Sequence, residues 1–144
     1  MAVTVKKIVL WRTEVQHQPG VLAGVLEPFA NAGANLQVIM GYRYPGSELK
    51  AAIELAPVSG KKSVAAAQAA GLTASAIPTL LVEGDNKPGL GHAIAQAIAG
   101  AGINLGFLVA QVIGKKFSAV FGFGSEDDAR KAAPLIKKAA SSKK

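Results

Sequence analysis

The chain has 144 residues, half of them hydrophobic, and a formal charge of +7; this excludes a disordered polar chain and fits one ordinary domain or two small ones. It holds no cysteine, so disulfides and thiolate chemistry are excluded, in keeping with a reducing compartment. No apolar run reaches membrane-spanning length and Ile8 to Leu10 is too short for a signal-peptide core, so the chain is read as cytoplasmic, with no membrane partner.

Val3 to Val15, rich in β-branched residues, predicts one strand long enough to bend once. Pro19-Gly20 then opens a helix whose apolar face is Val21, Leu22, Val25, Leu26, Phe29 and Ala32, with Gly33 ending it and Pro28 expected to kink or loosen its middle. Asn35 to Tyr44 predicts a second strand, Pro45-Gly46-Ser47 a turn, Leu49 to Ala56 a third strand, and Lys61 to Ala70 an alanine-rich helix closed by Gly71. Thr73 to Glu83 is a long extended segment interrupted by Pro78. Pro88 starts a helix with Leu90, Ile94, Ala97, Ile98 and Ala101 on its buried face. Asn104 to Ile113 and Phe117 to Phe123 make a hairpin across Gly114-Lys115-Lys116, and Ser125 with Asp128 resembles a capping box opening the last helix.

This order repeats. Pro19 and Pro88 lie 69 positions apart, as do Asn35 and Asn104, and residues 4–36 share ten identities with residues 73–105: Thr4, Ile8, Glu14, Pro19, Gly20, Ala30, Ala32, Gly33, Asn35 and Leu36. A duplication explains this, giving two units, residues 1–72 and 73–144. Each reads β-α-β-β-α, completed by a following strand, which is the ferredoxin-like order of an α+β fold. The second unit has no strand after its last helix, so the first segment, Thr4 to Ile8, is expected to complete it, as Thr73 to Ile77 completes the first.

The repeated turns carry the chemistry. A Pro-Gly opening leaves backbone amides without helical partners, and these donors suit a carboxylate or phosphate. The helix dipole contributes roughly 0.3–1 kcal/mol, and each charge-assisted hydrogen bond about 1.5–3 kcal/mol. Gly89 and Gly91 would let a ligand approach the backbone, while Asn86 and Asn104 offer carbonyl oxygens to an ammonium group. Together these describe a free α-amino acid. A helix cap and tight turn without a ligand is the plainer reading of the same residues.

Asn86-Lys87-Pro88-Gly89-Leu90, a helix, then Gly102-Ile103-Asn104-Leu105 resembles the signature of the ACT domain, the small-molecule regulatory module of aspartokinases, phosphoglycerate dehydrogenase and similar enzymes. His17-Gln18-Pro19-Gly20-Val21 and Gly33-Ala34-Asn35-Leu36 match more loosely, with His17 in place of Asp or Asn. The resemblance implies ferredoxin-like units packed side by side into an extended antiparallel sheet with helices on one face. It also implies a ligand at unit interfaces, held by the loop after the first strand and the start of the second. Carried onto this chain, it points to Asn86, Gly89, Leu90, Gly91 and Asn104, and to His17, Gly20, Val21, Leu22 and Asn35. His92, in the first turn of its helix, joins them as a carboxylate contact.

No catalytic constellation, phosphate loop or cofactor motif appears, and two histidines without a nearby acidic cluster make a poor metal set. Asp85 with Glu83 reads as a loop pair. Much of the excess positive charge lies at Lys137, Lys138, Lys143 and Lys144, where cations favour a helix C-terminus. An RNA-binding reading has one support, Lys115 to Phe123 on the third strand, but Gly122 stands where an aromatic is needed and Thr79 to Val82 offers no aromatic partner. The expected protein is a non-enzymatic sensor of a free amino acid or small metabolite, a homodimer, regulating an enzyme of amino-acid biosynthesis. The alternative is a regulatory subunit acting through protein contact with little ligand binding.

Overall fold

Alternating valine, threonine and lysine gives β1 (Val3–Ile8), and a second alternating run gives β2 (Trp11–Gln16). The computed structural model describes residues 3–141 of the chain. After β2 come α1 (Val21–Asn31), β3 (Val38–Arg43), β4 (Lys50–Ala56), α2 (Lys61–Ala69) and the two-residue β5 (Thr73–Ala74). Then follow β6 (Thr79–Asp85), α3 (Leu90–Gly100), β7 (Leu105–Ile113), β8 (Lys116–Phe123) and α4 (Glu126–Ser141). Lys143 and Lys144 lie outside the described residues, while Lys137 and Lys138 are exposed on α4.

The eight strands form two four-stranded antiparallel sheets, ordered β5-β2-β4-β3 and β1-β6-β8-β7. By its contacts the chain divides into Val9–Ala76 and a second unit that joins the N-terminal strand to everything from Ile77 onward. This division follows the sheets rather than the linear repeat. In the first sheet β2 and β4 are the central pair, with α1 linking β2 to β3 and α2 linking β4 to β5. In the second β6 and β8 are central, α3 links β6 to β7, α4 follows β8, and the N-terminal β1 takes the fourth place.

The predicted single strand over Val3 to Val15 is two strands, because its halves hydrogen-bond in different sheets. Val3–Ile8 pairs with β6, from Val3 opposite Gly84 to Ile8 opposite Thr79. Trp11 and Arg12 pair with Ala74 and Thr73 of β5. The segment around Pro78 breaks in the same way, and the Pro78 carbonyl accepts the Phe123 amide at 2.8 Å. Pro28 does not interrupt α1; the Gly24 carbonyl it leaves unserved belongs to an exposed residue, which water can satisfy. The second strand starts at Val38, three residues later than expected. Glu83 and Asp85 lie on β6 rather than in a loop, and Lys116 Nζ donates to Asp85 Oδ1 at 2.5 Å.

Each unit has its own core. In the first, Val25 and Phe29 of α1 pack with Ile53 and Leu55 of β4 and with Ala66 and Ala67 of α2. In the second, Leu90, Ile94 and Ile98 of α3 meet Phe117, Phe121 and Phe123 of β8, Ala132 and Ile136 of α4, and Val3 of β1. Ala97 and Ala101, expected on the buried face of α3, are half-buried and exposed. Ser125 Oγ accepts the Asp128 amide at 3.1 Å, capping α4.

Because Val3 is 6% exposed in the second unit's core, Val3→Ala should destabilise that unit by about 2 kcal/mol. Removing residues 1–7 should strip hydrogen-exchange protection from β6 amides, and full protection of β6 in the truncated chain would contradict the pairing.

Candidate functional site

Both Pro-Gly turns fold alike. Gly20 and Gly89 precede their helices with φ of 86° and 82°, a left-handed conformation that a side chain would strain, and neither helix start has a side-chain cap. The Val21 amide donates to the Gln18 carbonyl at 3.3 Å and the Leu90 amide to the Lys87 carbonyl at 3.1 Å. The amides of Gly20 and Gly89 plus four, Gly24 and Ala93, return to the turn carbonyls. The first-turn amides between them, at Leu22 and Ala23 and at Gly91 and His92, have no helical carbonyl within reach.

A cavity of about 390 Å³ opens at the first of these turns, lined entirely from the Val9–Ala76 unit; its volume lies in the range of small-molecule sites. His17, Gln18, Gly20, Val21, Leu22 and Ala23 line one side. Val15 of β2, Gly41, Tyr42 and Arg43 of β3, and Ala51, Ala52 and Ile53 of β4 line the other. Small residues create the space. Alternation along β4 turns Ala51 to the same side as the core residues Ile53 and Leu55, and Gly41 pairs with Ile53 without a side chain. A methyl group added to Gly41 would meet nothing within 4 Å.

The second unit fills the corresponding place. Ala51 is opposite Val15 and Arg43; Phe117 is opposite Gly84 and Val112, and those partners are the 69-residue repeats of Val15 and Arg43. So a phenyl ring, 5% exposed and in the same core cluster as Leu90, replaces a methyl group, and a valine replaces the arginine.

Of the residues singled out in sequence, His17, Gly20, Val21 and Leu22 come together at the cavity, while Asn35 is exposed in the loop before β3 and is not among the lining residues. Asn86, Gly89, Gly91, His92 and Asn104 are exposed around the second turn, with the Asn86 amide bonded to the Lys115 carbonyl at 2.8 Å. Leu90 is 2% exposed and packs in the core, as its place on the apolar face of α3 predicts, which leaves its backbone rather than its side chain on the solvent side of the turn. The strand residues Gly41, Arg43, Ala51 and Val15 were missed, because motif reading looks at turns and these face the cavity from ladders. Val15 and Ala51 are small or apolar residues at alternate strand positions, which is the one sequence signal that marks them.

A polar network stands on the opposite side of the first sheet. Tyr42 Oη donates to Glu54 Oε2 at 2.7 Å, Tyr44 Oη donates to Glu14 Oε2 at 2.8 Å, and Arg12 donates to Tyr44 Oη and Glu14. Glu54 is 2% exposed and its Oε1 has no protein partner among the described residues. Burial and the bond to Glu54 raise the Tyr42 pKa above its ordinary value. Burial opposes the charge on Arg12, but its bonds to Tyr42 and Tyr44 outweigh that and raise its pKa. The network anchors Tyr42, and with it the strand that carries Gly41 and Arg43.

The RNA reading loses its footing here. Phe117, Phe121 and Phe123 of β8 are buried in the core with α3 and α4 rather than displayed on the sheet's other face, where bases would stack. No helix among the described residues is long and apolar enough to cross a membrane.

No protein-family model matches the chain, and no curated protein sequence matches it. Among solved structures it is similar to the ligand-free regulatory subunit of aspartate kinase from Thermus thermophilus, at 16% identity and a TM-score of 0.64, covering 96% of this chain and 97% of that one. The fold is that of the ACT-type regulatory domains of aspartate kinase. Protein BT0572 from Bacteroides thetaiotaomicron is similar at 12% identity and a TM-score of 0.72, with 89% and 87% covered. E. coli aspartokinase III in complex with lysine and aspartate is similar at 10% identity and a TM-score of 0.59, with 99% of this chain and 33% of that one covered. At these identities the likeness is one of fold.

Hydrogen bonds from Tyr44 and Arg12 hold the Glu14 carboxyl below its ordinary 4.5. Its contribution to stability is therefore complete above pH 4.5 and is lost as pH falls through the lower folded value. Glu14→Gln should make the acid limb of urea-unfolding stability shallower; an unchanged limb would remove Glu14 from the account.

Proposed function

We propose that this chain is a non-catalytic sensor that binds a free amino acid or a similar small metabolite and thereby regulates an enzyme of amino-acid metabolism. The observation that carries the reading is the cavity of about 390 Å³ at the uncapped start of α1, with first-turn amides on one side and Arg43 on the other. Such a site can hold a carboxylate through backbone donors and a guanidinium, and small apolar groups against Val15, Ala51 and Ile53. An ACT-type fold and an amino-acid complex of one structural neighbour support the same reading. Regulation follows if the ligand favours one of two states of the chain or its partner, with a coupling of about 1–3 kcal/mol as a typical size. No cofactor is required. The second turn, with Asn86, Gly89, Gly91, His92 and Asn104, is a weaker site in this proposal, since Phe117 fills the place corresponding to Ala51.

Thermal-shift measurement against the twenty amino acids and related acids should give at least one positive response. Gly41→Val, which fills the cavity from a strand position that suits a β-branched residue, and Ala51→Phe, which copies Phe117, should abolish it while each chain stays folded. A response that survives both substitutions would move the ligand elsewhere.

A protein partner is supported by β7, an edge strand of nine residues with no charged side chain. Leu108, Val109, Val112 and Ile113 on it are 44–67% exposed. Such an edge pairs readily with another chain, and self-association into a homodimer or docking on a biosynthetic enzyme is the role assigned to it. Val109→Lys should shift the chain toward monomer in light-scattering chromatography; an unchanged mass above that of the monomer would clear β7 of the role.

A further inference from the structure

We propose that the cavity of the Val9–Ala76 unit selects a small carboxylate with an apolar tail and no ammonium group, a branched 2-oxo or 2-hydroxy acid in preference to the matching amino acid. The inference rests on the reading of this cavity as a ligand site and names the ligand class within it. Its lining carries Arg43 and His17 but no aspartate or glutamate.

The alternation of the strands explains the missing acid. Glu14 neighbours the lining residue Val15 but turns to the other side of the sheet, where Tyr44 and Arg12 hold it. Glu54 neighbours Ile53 and likewise turns away, accepting from Tyr42. Arg43 makes no hydrogen bond or ion pair among the described residues, so its guanidinium is available to a ligand carboxylate, which it matches in geometry and charge.

An α-ammonium sits two bonds from its own carboxylate. Bound here, it is held beside Arg43 with no anionic side chain to neutralise it, and like charges this close oppose each other even after screening. Replacing the ammonium by a carbonyl or hydroxyl oxygen removes that opposition. The tail then lies against Val15, Val21, Ala51 and Ile53, where branched apolar groups displace water.

Calorimetric titration of the full chain with 4-methyl-2-oxopentanoate and with L-leucine, in the same low-salt buffer at neutral pH, tests the proposal. The oxo acid is expected to bind roughly tenfold more tightly or better, and Arg43→Gln, at an exposed position, should erase that preference without changing the melting temperature of the free chain. Leucine binding as tightly as the oxo acid overturns the proposal and leaves the amino-acid sensor standing. A preference that persists in Arg43→Gln also overturns it. Binding of neither compound overturns it as well, and the sensor reading then falls only if the amino-acid panel is silent too.

Discussion

Side-chain volume on the helix-facing side of the two central strands governs this molecule. β4 presents Ala51, Ile53 and Leu55 there, and β8 presents Phe117, Ala119 and Phe121. The backbone frames that hold them are repeats of one another, down to helices that begin and end 69 positions apart. Where the frame carries aromatic rings, apolar packing consumes the interior, with Leu90 and Phe117 in one cluster. Where it carries a methyl group opposite a glycine-bearing strand, space remains at the helix start.

The opposite side of the first sheet supplies stiffness to match. Tyr42 reaches Glu54, Tyr44 reaches Glu14, and Arg12 donates to both Tyr44 and Glu14. A tyrosine ring pair 6.2 Å apart accompanies these bonds. β3 is an edge strand, and edge strands hold their positions poorly without cross-strand partners. The network fixes the strand that presents Arg43, so the cation keeps its station without contacting a protein carboxylate.

Much of this was legible in the chain itself. The repeat, the Pro-Gly helix starts and the helix periodicity gave both α1 and α3 to within a residue or two, because those signals are local. The strand boundaries near Val9 and Pro78 were not legible. Val3 to Val15 is uniformly suited to extended backbone, and nothing in a strand's own residues says which ladder it joins. The site divided the same way. The turns were readable, but the closer motif match, at Asn86 to Leu90, sits over the filled interior, while the looser one, at His17 to Val21, sits over the open one. A motif records the path of the backbone. Whether there is room beside it depends on Ala51 and Phe117, some thirty residues away from either turn, and on the pairing that brings them there.

The pairing of β1 with β6 sets an order of events during synthesis. Val3–Ile8 leaves the ribosome well ahead of its partner, and its ladder is not made until Thr79–Asp85 emerges, a wait of roughly 4–15 seconds at ordinary elongation rates. For that interval a bare apolar strand is at risk of pairing with the wrong chain. Lys6 and Lys7, exposed on β1, are well suited to guard it, keeping the nascent segment hydrated and repelling its copies on neighbouring ribosomes until the rightful neighbour arrives.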